Sequence, residues 1–290
     1  MEAPSDKWSA WLLKRRDGND LKERTRALSY LKPIRDRVLD GAAIASGATV
    51  LDVGCGDGLL AFAALDHTGP SGQVIFTDIS PPLLEVCQTI AKQSDIASQC
   101  SFLQAKASDL TSIPTAFVDA VVLRSVLIYE ENKTEAFREF HRVLRPQGRL
   151  SLFEPINSFK LGKRETSFYG HEIPEISGLV EKVMNAYNES APISMMNFDE
   201  RDLFRFAFDT GFSEISLTYE ASVKQTPPIP SWDVLLQSAP NPETSTLDEM
   251  LTQVLTPEEK TLFISTLRPR VEKNKGKQIR AVAYLRARKN

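Results

Sequence analysis

The chain has 290 residues, 42% hydrophobic and 25% charged, with a formal net charge of −3. That is ordinary globular composition, enough for one large α/β domain or two small ones, and the charge argues against a protein whose whole surface binds nucleic acid. Three cysteines, Cys55, Cys87 and Cys100, show no C-x-x-C spacing and no histidine cluster beside them. They predict neither a disulfide framework nor a metal site, and suit a reducing, cytoplasmic compartment. No apolar run approaches the roughly 18 residues of a membrane span. In MEAPSDKWSAWLLKRRDG the basic cluster follows the apolar stretch, the reverse of a secretory signal.

Along the chain, Leu21, Leu28, Leu31, Val38 and Leu39 recur at helical spacing, so residues 21–45 read as helix. Pro33 predicts two helices or a kink there. ATVLDVG reads as a buried parallel strand, and LLAFAALDHTG as a helix closed near Gly69. QVIFTDI (73–79) is a second strand. Ser80 and Pro81 then open a helix, with a side-chain cap and a proline in the first turn. Strands follow at CSFLQA (100–105) and FVDAVVLRSV (117–126), a helix at 130–146, and a strand at GRLSLFEP (148–155). This rhythm predicts a doubly wound, Rossmann-like parallel sheet.

The second half is less regular. DERDLFRFAFDTG is a helix, FSEISLTYEASV a strand, and QIRAVAYLRAR (278–288) a last strand. Residues 156–198 carry a weaker helix at GLVEKVMNAYNE and no clear strand. Residues 226–276 are proline-rich, then helical from TPEE, where Thr256 and Glu259 form a capping box. Structureless loops of that length are improbable in a compact domain, so both are expected to be helical insertions. The expected organisation is a helical cap over 1–45, a core over 46–155, a first lid over 156–198, and a core helix with the sixth strand over 199–225. A second lid over 226–276 and the last strand over 277–290 complete one structural domain.

One stretch carries chemistry. In VLDVGCGDGLL (50–60), Gly54, Gly56 and Gly58 follow a strand, with Asp52 before them and Asp57 among them. Glycines let backbone N–H groups approach a ligand closely, and ligands of open α/β sheets bind beyond the carboxyl ends of the strands. A dinucleotide loop reads G-x-G-x-x-G, but Leu59 stands where its third glycine belongs. Carboxylates beside the loop disfavour a pyrophosphate and favour a cation.

VLDVGCGDG resembles the first motif of the class I S-adenosylmethionine-dependent methyltransferases, and VIFTDIS, FVDAVVLRSVLIY and FREFHRVLRPQGRLSLFEP resemble its later motifs in order. The resemblance covers roughly 46–155, and more loosely the helix and strands after it. It implies a seven-stranded sheet with the last strand antiparallel, S-adenosyl-L-methionine as cofactor and S-adenosyl-L-homocysteine as product. It also implies that Asp78 bonds both ribose hydroxyls. The family's acid for the adenine amino group is missing at Lys106, which cannot accept a hydrogen bond. Asp109, or the backbone of Ala107 and Ser108, stands in its place.

The expected cofactor site therefore comprises Asp52, Gly54, Cys55, Gly56, Gly58, Asp78, Ile79, Ala107, Ser108 and Asp109, with Arg124 and Ser125 after the fourth strand. Asp52 alternatively caps the turn, Asp78 stabilises a helix start, and Arg124 forms a salt bridge. Tyr30 closes over the cofactor or packs the core. Of the histidines, His171 in the first insertion is the candidate base; His67 reads as surface and His141 as structural. Glu154 orients substrate or caps a loop. Phe159, Phe168, Tyr169, Met195, Met196, Phe198 and Trp232 are expected to line an acceptor pocket, or to pack the insertions. Transfer to a small or medium organic acceptor, by in-line displacement, is the expected activity. A non-catalytic S-adenosylmethionine-binding protein, a protein or nucleic-acid methyltransferase and a nicotinamide dehydrogenase remain alternatives.

Overall fold

The computed structural model describes residues 5–159, 166–226 and 231–290. Residues 160–165 and 227–230, which belong to the two expected lids, lie outside the described residues. Seven strands form one sheet: β1 (Thr49–Val53), β2 (Gln73–Asp78), β3 (Cys100–Gln104), β4 (Val118–Arg124), β5 (Leu144–Pro155), β8 (Phe212–Gln225) and β9 (Lys277–Lys289). Their order is β3-β2-β1-β4-β5-β9-β8. The first five are parallel, and β9 runs antiparallel to both β5 and β8. The strand order reverses between β1 and β4, which opens a crevice beyond their carboxyl ends. A small hairpin, β6 (Ser167–Phe168) and β7 (His171–Glu172), stands apart.

The core forms because successive strand residues face opposite ways. Leu51, Val121 and Leu123 pack on one face under α5 (Lys133–Val143) and α7 (Glu200–Asp209), with Phe137, Phe140 and Leu203. Val50, Ala120 and Val122 pack on the other, under α2 (Leu21–Ala42), α3 (Leu59–Thr68) and α4 (Pro81–Gln93). Both faces being covered, the central strands read as unbroken apolar runs. A third apolar cluster joins the insertions. Val180 and Val183 of α6 (Ser177–Ser190) pack with Trp232 of α8 (Trp232–Gln237), Leu251 of α9 (Leu247–Val254) and Phe263 of α10 (Pro257–Glu272).

Three local expectations are corrected. Helix α2 runs through Pro33 as one element. Pro33 is exposed, and so is Ser29, whose carbonyl lacks the Pro33 partner and faces water. The buried stripe of Ile34, Val38 and Leu39 outweighs the lost bond. Helix α5 ends at Val143 rather than 146, because residues from Leu144 already pair with β4, ahead of a register shift. The first insertion contains the β6–β7 hairpin, where no strand was legible.

Candidate active site

The crevice between β1 and β4 is a cavity of about 460 Å³, within the range of small-molecule sites. Its floor is the glycine loop. Gly54 has φ +65°, and a Cβ there would lie 2.6 Å from Cγ2 of Val126. Gly56 has φ +57°, and its Cβ would lie 2.9 Å from Cδ2 of Leu12. A side chain at either position meets both a disfavoured backbone conformation and a neighbour that already occupies the space.

Two acids flank the loop. Asp52 is buried, and its Oδ2 accepts from the Ala61 amide at 3.0 Å. It thus caps α3, whose own N-cap residue, Gly58, has no side chain to do so. Burial pushes the Asp52 carboxyl well above its ordinary range, and Asp78 adds to the shift. Asp78 ends β2. Its Oδ2 accepts from Gly56 N at 2.8 Å and its Oδ1 from Ser80 N at 2.9 Å, so it ties the loop to the start of α4. Burial raises this carboxyl as well. Each oxygen keeps a lone pair for a hydroxyl donor.

The wall beyond β4 is carried by a buried carboxylate. Glu154, fully buried at the end of β5, accepts from the amides of Val126 and Leu127 at 2.9 Å and of Ile128 at 3.3 Å. Burial pushes it up to about 7 despite those three donors. The turn it holds presents Ser125, Val126 and Tyr129 to the cavity. Burial, then the neighbouring Glu154, hold the Tyr129 phenol above its ordinary value, so it remains a donor.

The roof comes from the N-terminus. Asp6 and Ser9 form a capping box that starts α1 (Lys7–Ala10), and the helical path continues through Arg15. This places Lys7, Trp8, Trp11 and Leu12 over the cavity. Trp8 meets Tyr129 edge-on at 4.9 Å. The Trp11 indole donates to Ala239 O at 2.9 Å, and Arg15 pairs with Glu249 at 2.7 Å, which fastens the roof to the second insertion. Pro192, Ser194 and Glu243 complete the enclosure from the two insertions.

One guanidinium, that of Arg124, lines the cavity, and that of Arg16 lies near it. Burial, then the nearby Arg16, lower the Arg124 pKa. Arg16 donates to Asp17 at 3.1 Å, yet its Nη2 is buried with no hydrogen-bond partner among the described residues. Asp57, at 4.0 Å, is its nearest ion-pair contact on the cavity side. Of the two, Arg124 is the cation placed to meet an anionic group of a ligand, because Arg16 does not line the cavity.

The structure brings Asp52, Gly54, Cys55, Gly56, Asp78, Ile79, Ala107, Arg124 and Ser125 to one cavity. Gly58 stands just behind the loop as the α3 N-cap. Ser108 donates its amide to Glu130 at 3.3 Å, and Asp109 accepts from Thr111, so neither faces the cavity; Ala105, Lys106 and Ala107 do. Tyr30 is half exposed, with the Arg280 guanidinium 4.7 Å from its ring. Glu154 acts as the loop cap. Phe168 and Trp232 are buried in the insertion cluster, Tyr169 packs on Phe168 at 4.9 Å, and Phe159, Met195 and Phe198 pack against the sheet core. Met196, half-buried after a short helical turn, does not face the cavity either.

Among the described residues no histidine lines this cavity. His171 is buried in the β6–β7 hairpin, where burial and then Arg270 hold its imidazole below the ordinary value. His171→Gln is therefore expected to leave S-adenosylhomocysteine affinity within roughly twofold of wild type by calorimetry. A helical cap over 1–45 was expected, but Trp8, Trp11 and Leu12 were not singled out within it. Their signal was the capping box Asp6-x-x-Ser9, with Trp8 inside it and Trp11 and Leu12 just after it, which opens a short apolar stripe.

Residues 44–191 match a family described as a methyltransferase domain. The chain is 28% identical over 182 residues to the ubiquinone/menaquinone biosynthesis C-methyltransferase UbiE of Shewanella frigidimarina, covering 62% of this chain and 72% of that protein. It is 31% identical to UbiE of Pseudomonas putida over 179 residues, covering 60% and 69%. Among solved structures, the YcgJ protein of Bacillus subtilis superposes with a TM-score of 0.55 at 14% identity, over 88% of this chain and 97% of that one. The Haemonchus contortus phosphoethanolamine-type N-methyltransferase 2, a complex with S-adenosylhomocysteine, superposes with 0.53 at 15%, over 89% and 52%. The glycine loop, the two strand-end acids and the switch-point cavity fit the sulfonium nucleoside. The chain belongs to the class I S-adenosylmethionine-dependent methyltransferases.

Proposed function

We propose the following division of labour for methylation of a small organic acceptor by this enzyme. The Gly54–Gly58 loop and Asp52 hold the methionine part of S-adenosylmethionine, with Arg124 opposite its carboxylate. Asp78 takes the ribose hydroxyls, and the backbone of Ala105–Ala107 flanks the adenine. Acceptor binds between the turn at Ser125–Tyr129 and the roof of Trp8 and Trp11.

The bound cofactor supplies an activated methyl group on a sulfonium, with a neutral leaving group. The chain's own task is orientation and exclusion of water. Alignment of this kind accounts for roughly 7–11 kcal/mol of barrier. The aromatic roof, pinned to the second insertion, keeps solvent out. The protonated Tyr129 phenol donates a hydrogen bond to a polar atom of the acceptor and does not abstract a proton.

The observation that carries this reading is that Trp8 and Trp11 line the β1–β4 crevice together with residues of both insertions. A partly covered cavity of about 460 Å³ suits a compact acceptor better than a polypeptide or a duplex. With all three cysteines free, the reading also places the enzyme in a reducing compartment. No helix of the described residues is long and apolar enough to cross a membrane.

The test is methyl transfer from labelled S-adenosylmethionine across an acceptor panel, with quinone-biosynthesis intermediates placed first because of the relatives' names. Trp8→Ala is expected to lower kcat/KM for the acceptor by roughly tenfold, the scale of one lost aromatic contact and its buried area. S-adenosylhomocysteine affinity should change by less than roughly threefold. Equal losses in both would refute the acceptor role of the roof.

A further inference from the structure

A second concavity, of about 420 Å³, lies away from the active site, where the β6–β7 hairpin, the end of α10 and the start of β9 converge. Its frame is tightly built. Lys277 N donates to Gly170 O at 2.8 Å. A Cβ on Gly170 would lie 2.3 Å from Lys277 O, and one on Gly276 would lie 2.7 Å from Nε2 of His171. Both glycines are thus required by close approach, which keeps the three segments in contact.

The lining is strongly one-signed. Arg270, Lys273, Lys275 and Lys277 face a single carboxylate, Glu172, whose Oε2 accepts from Thr166 at 2.8 Å. Arg270 pairs with Glu175 outside the concavity. Among the described residues, Lys273, Lys275 and Lys277 have no ion-pair partner. This cluster stands in a chain whose net charge is −3. The helix dipole accounts for Arg270 and Lys273, which sit in the last turn of α10 or just past it. It does not account for Lys275 and Lys277, because the dipole's influence ends within that turn. Lysines converging on a concavity focus a positive field and raise the local concentration of anions.

We propose that this concavity is a binding site for a phosphate-bearing ligand, distinct from the cofactor cavity. Lys275 and Lys277 supply the charge, Lys273 closes one side, and the glycine-built junction is the floor. The volume exceeds what one phosphate group fills, so the ligand carries its phosphates on a larger body or as a chain. A soluble polyphosphate and an acidic phospholipid headgroup share this chemistry.

The experiment uses the full chain at low ionic strength in two arms: calorimetric titration with inorganic pyrophosphate, and co-sedimentation with phosphatidylcholine vesicles containing phosphatidic acid. Saturable binding is expected in at least one arm, and the arm identifies the source. Lys275→Glu/Lys277→Glu should weaken it by roughly tenfold or more, while Lys22→Glu/Lys92→Glu, of equal charge change, should not. Titration with S-adenosylhomocysteine verifies that each variant keeps its active site. The proposal is overturned by absence of binding in both arms, by equal loss in the two double variants, or by displacement of pyrophosphate with S-adenosylhomocysteine.

Discussion

Asp78→Ala is expected to weaken S-adenosylhomocysteine binding by about 100- to 10,000-fold. Hydrogen bonds to a charged group contribute about 1.5–3 kcal/mol each, and every 1.4 kcal/mol or so is tenfold in affinity. The two ribose hydroxyls together account for the range. Asp78 also joins Gly56 N to Ser80 N, so its removal loosens the loop. The two effects separate with an S-adenosylhomocysteine analogue lacking both ribose hydroxyls. Such an analogue should bind wild type weakly, and Asp78→Ala should weaken it much less than it weakens the parent ligand. A full-sized loss for the analogue would reduce Asp78 to a brace for the loop. Asp78→Asn keeps one acceptor oxygen and should fall between the two.

Glu154 gives the second large effect, on stability. Glu154→Ala leaves the amides of Val126, Leu127 and Ile128 without their acceptor in a buried place. Each unsatisfied buried group costs about 1–3 kcal/mol, and a loss of about 3 kcal/mol is expected from urea unfolding at pH 5. The pH dependence has a definite sign. Folding raises the Glu154 carboxyl from its ordinary 4.5 to about 7. The folded state therefore binds this proton more tightly than the unfolded chain. Its contribution is fully present below about pH 4.5 and is lost as pH rises through about 7. The loss is about 3 kcal/mol at 1.36 kcal/mol per pKa unit. Asp52, also raised by burial, adds a slope of the same sign. The difference between wild type and Glu154→Gln isolates Glu154: the variant should be less stable at pH 5 and close the gap by pH 8. Parallel stability curves would show that Glu154 does not titrate as its burial requires.

Glu154 also shows why part of the site was hard to read. Its neighbours in sequence left two readings open, an acid that orients substrate or one that caps a loop, and named no partner for the cap. Its partners are Val126, Leu127 and Ile128, more than two dozen residues away, and only the β4–β5 pairing brings them to it. His171 is similar. Its loop-like surroundings made it a candidate base, but the insertions bury it against Arg270 and Gly276, away from the cofactor cavity. The aromatic residues of the insertions likewise pack mainly on one another: Phe168 meets Phe263 at 5.2 Å. A folded insertion must have a core of its own, and apolar side chains that serve it are indistinguishable by type from those that would line a pocket.

Features set by local periodicity and chain order were legible before any fold was known. Alternating apolar strands, the Ser80–Pro81 helix start, the glycine loop and the acids at the ends of β1 and β2 follow from backbone sterics and from side-chain direction along a strand. Right-handed crossovers between parallel strands then bring these strand ends to one edge. A cap from the N-terminal segment was also expected, but which of its side chains meet the cavity is settled only by long-range packing. Trp8 and Trp11 reach it because their helical turn is fastened to Ala239 and Glu249, more than two hundred residues later. Contacts over such separations depend on how two irregular surfaces fit, and no local pattern encodes that fit.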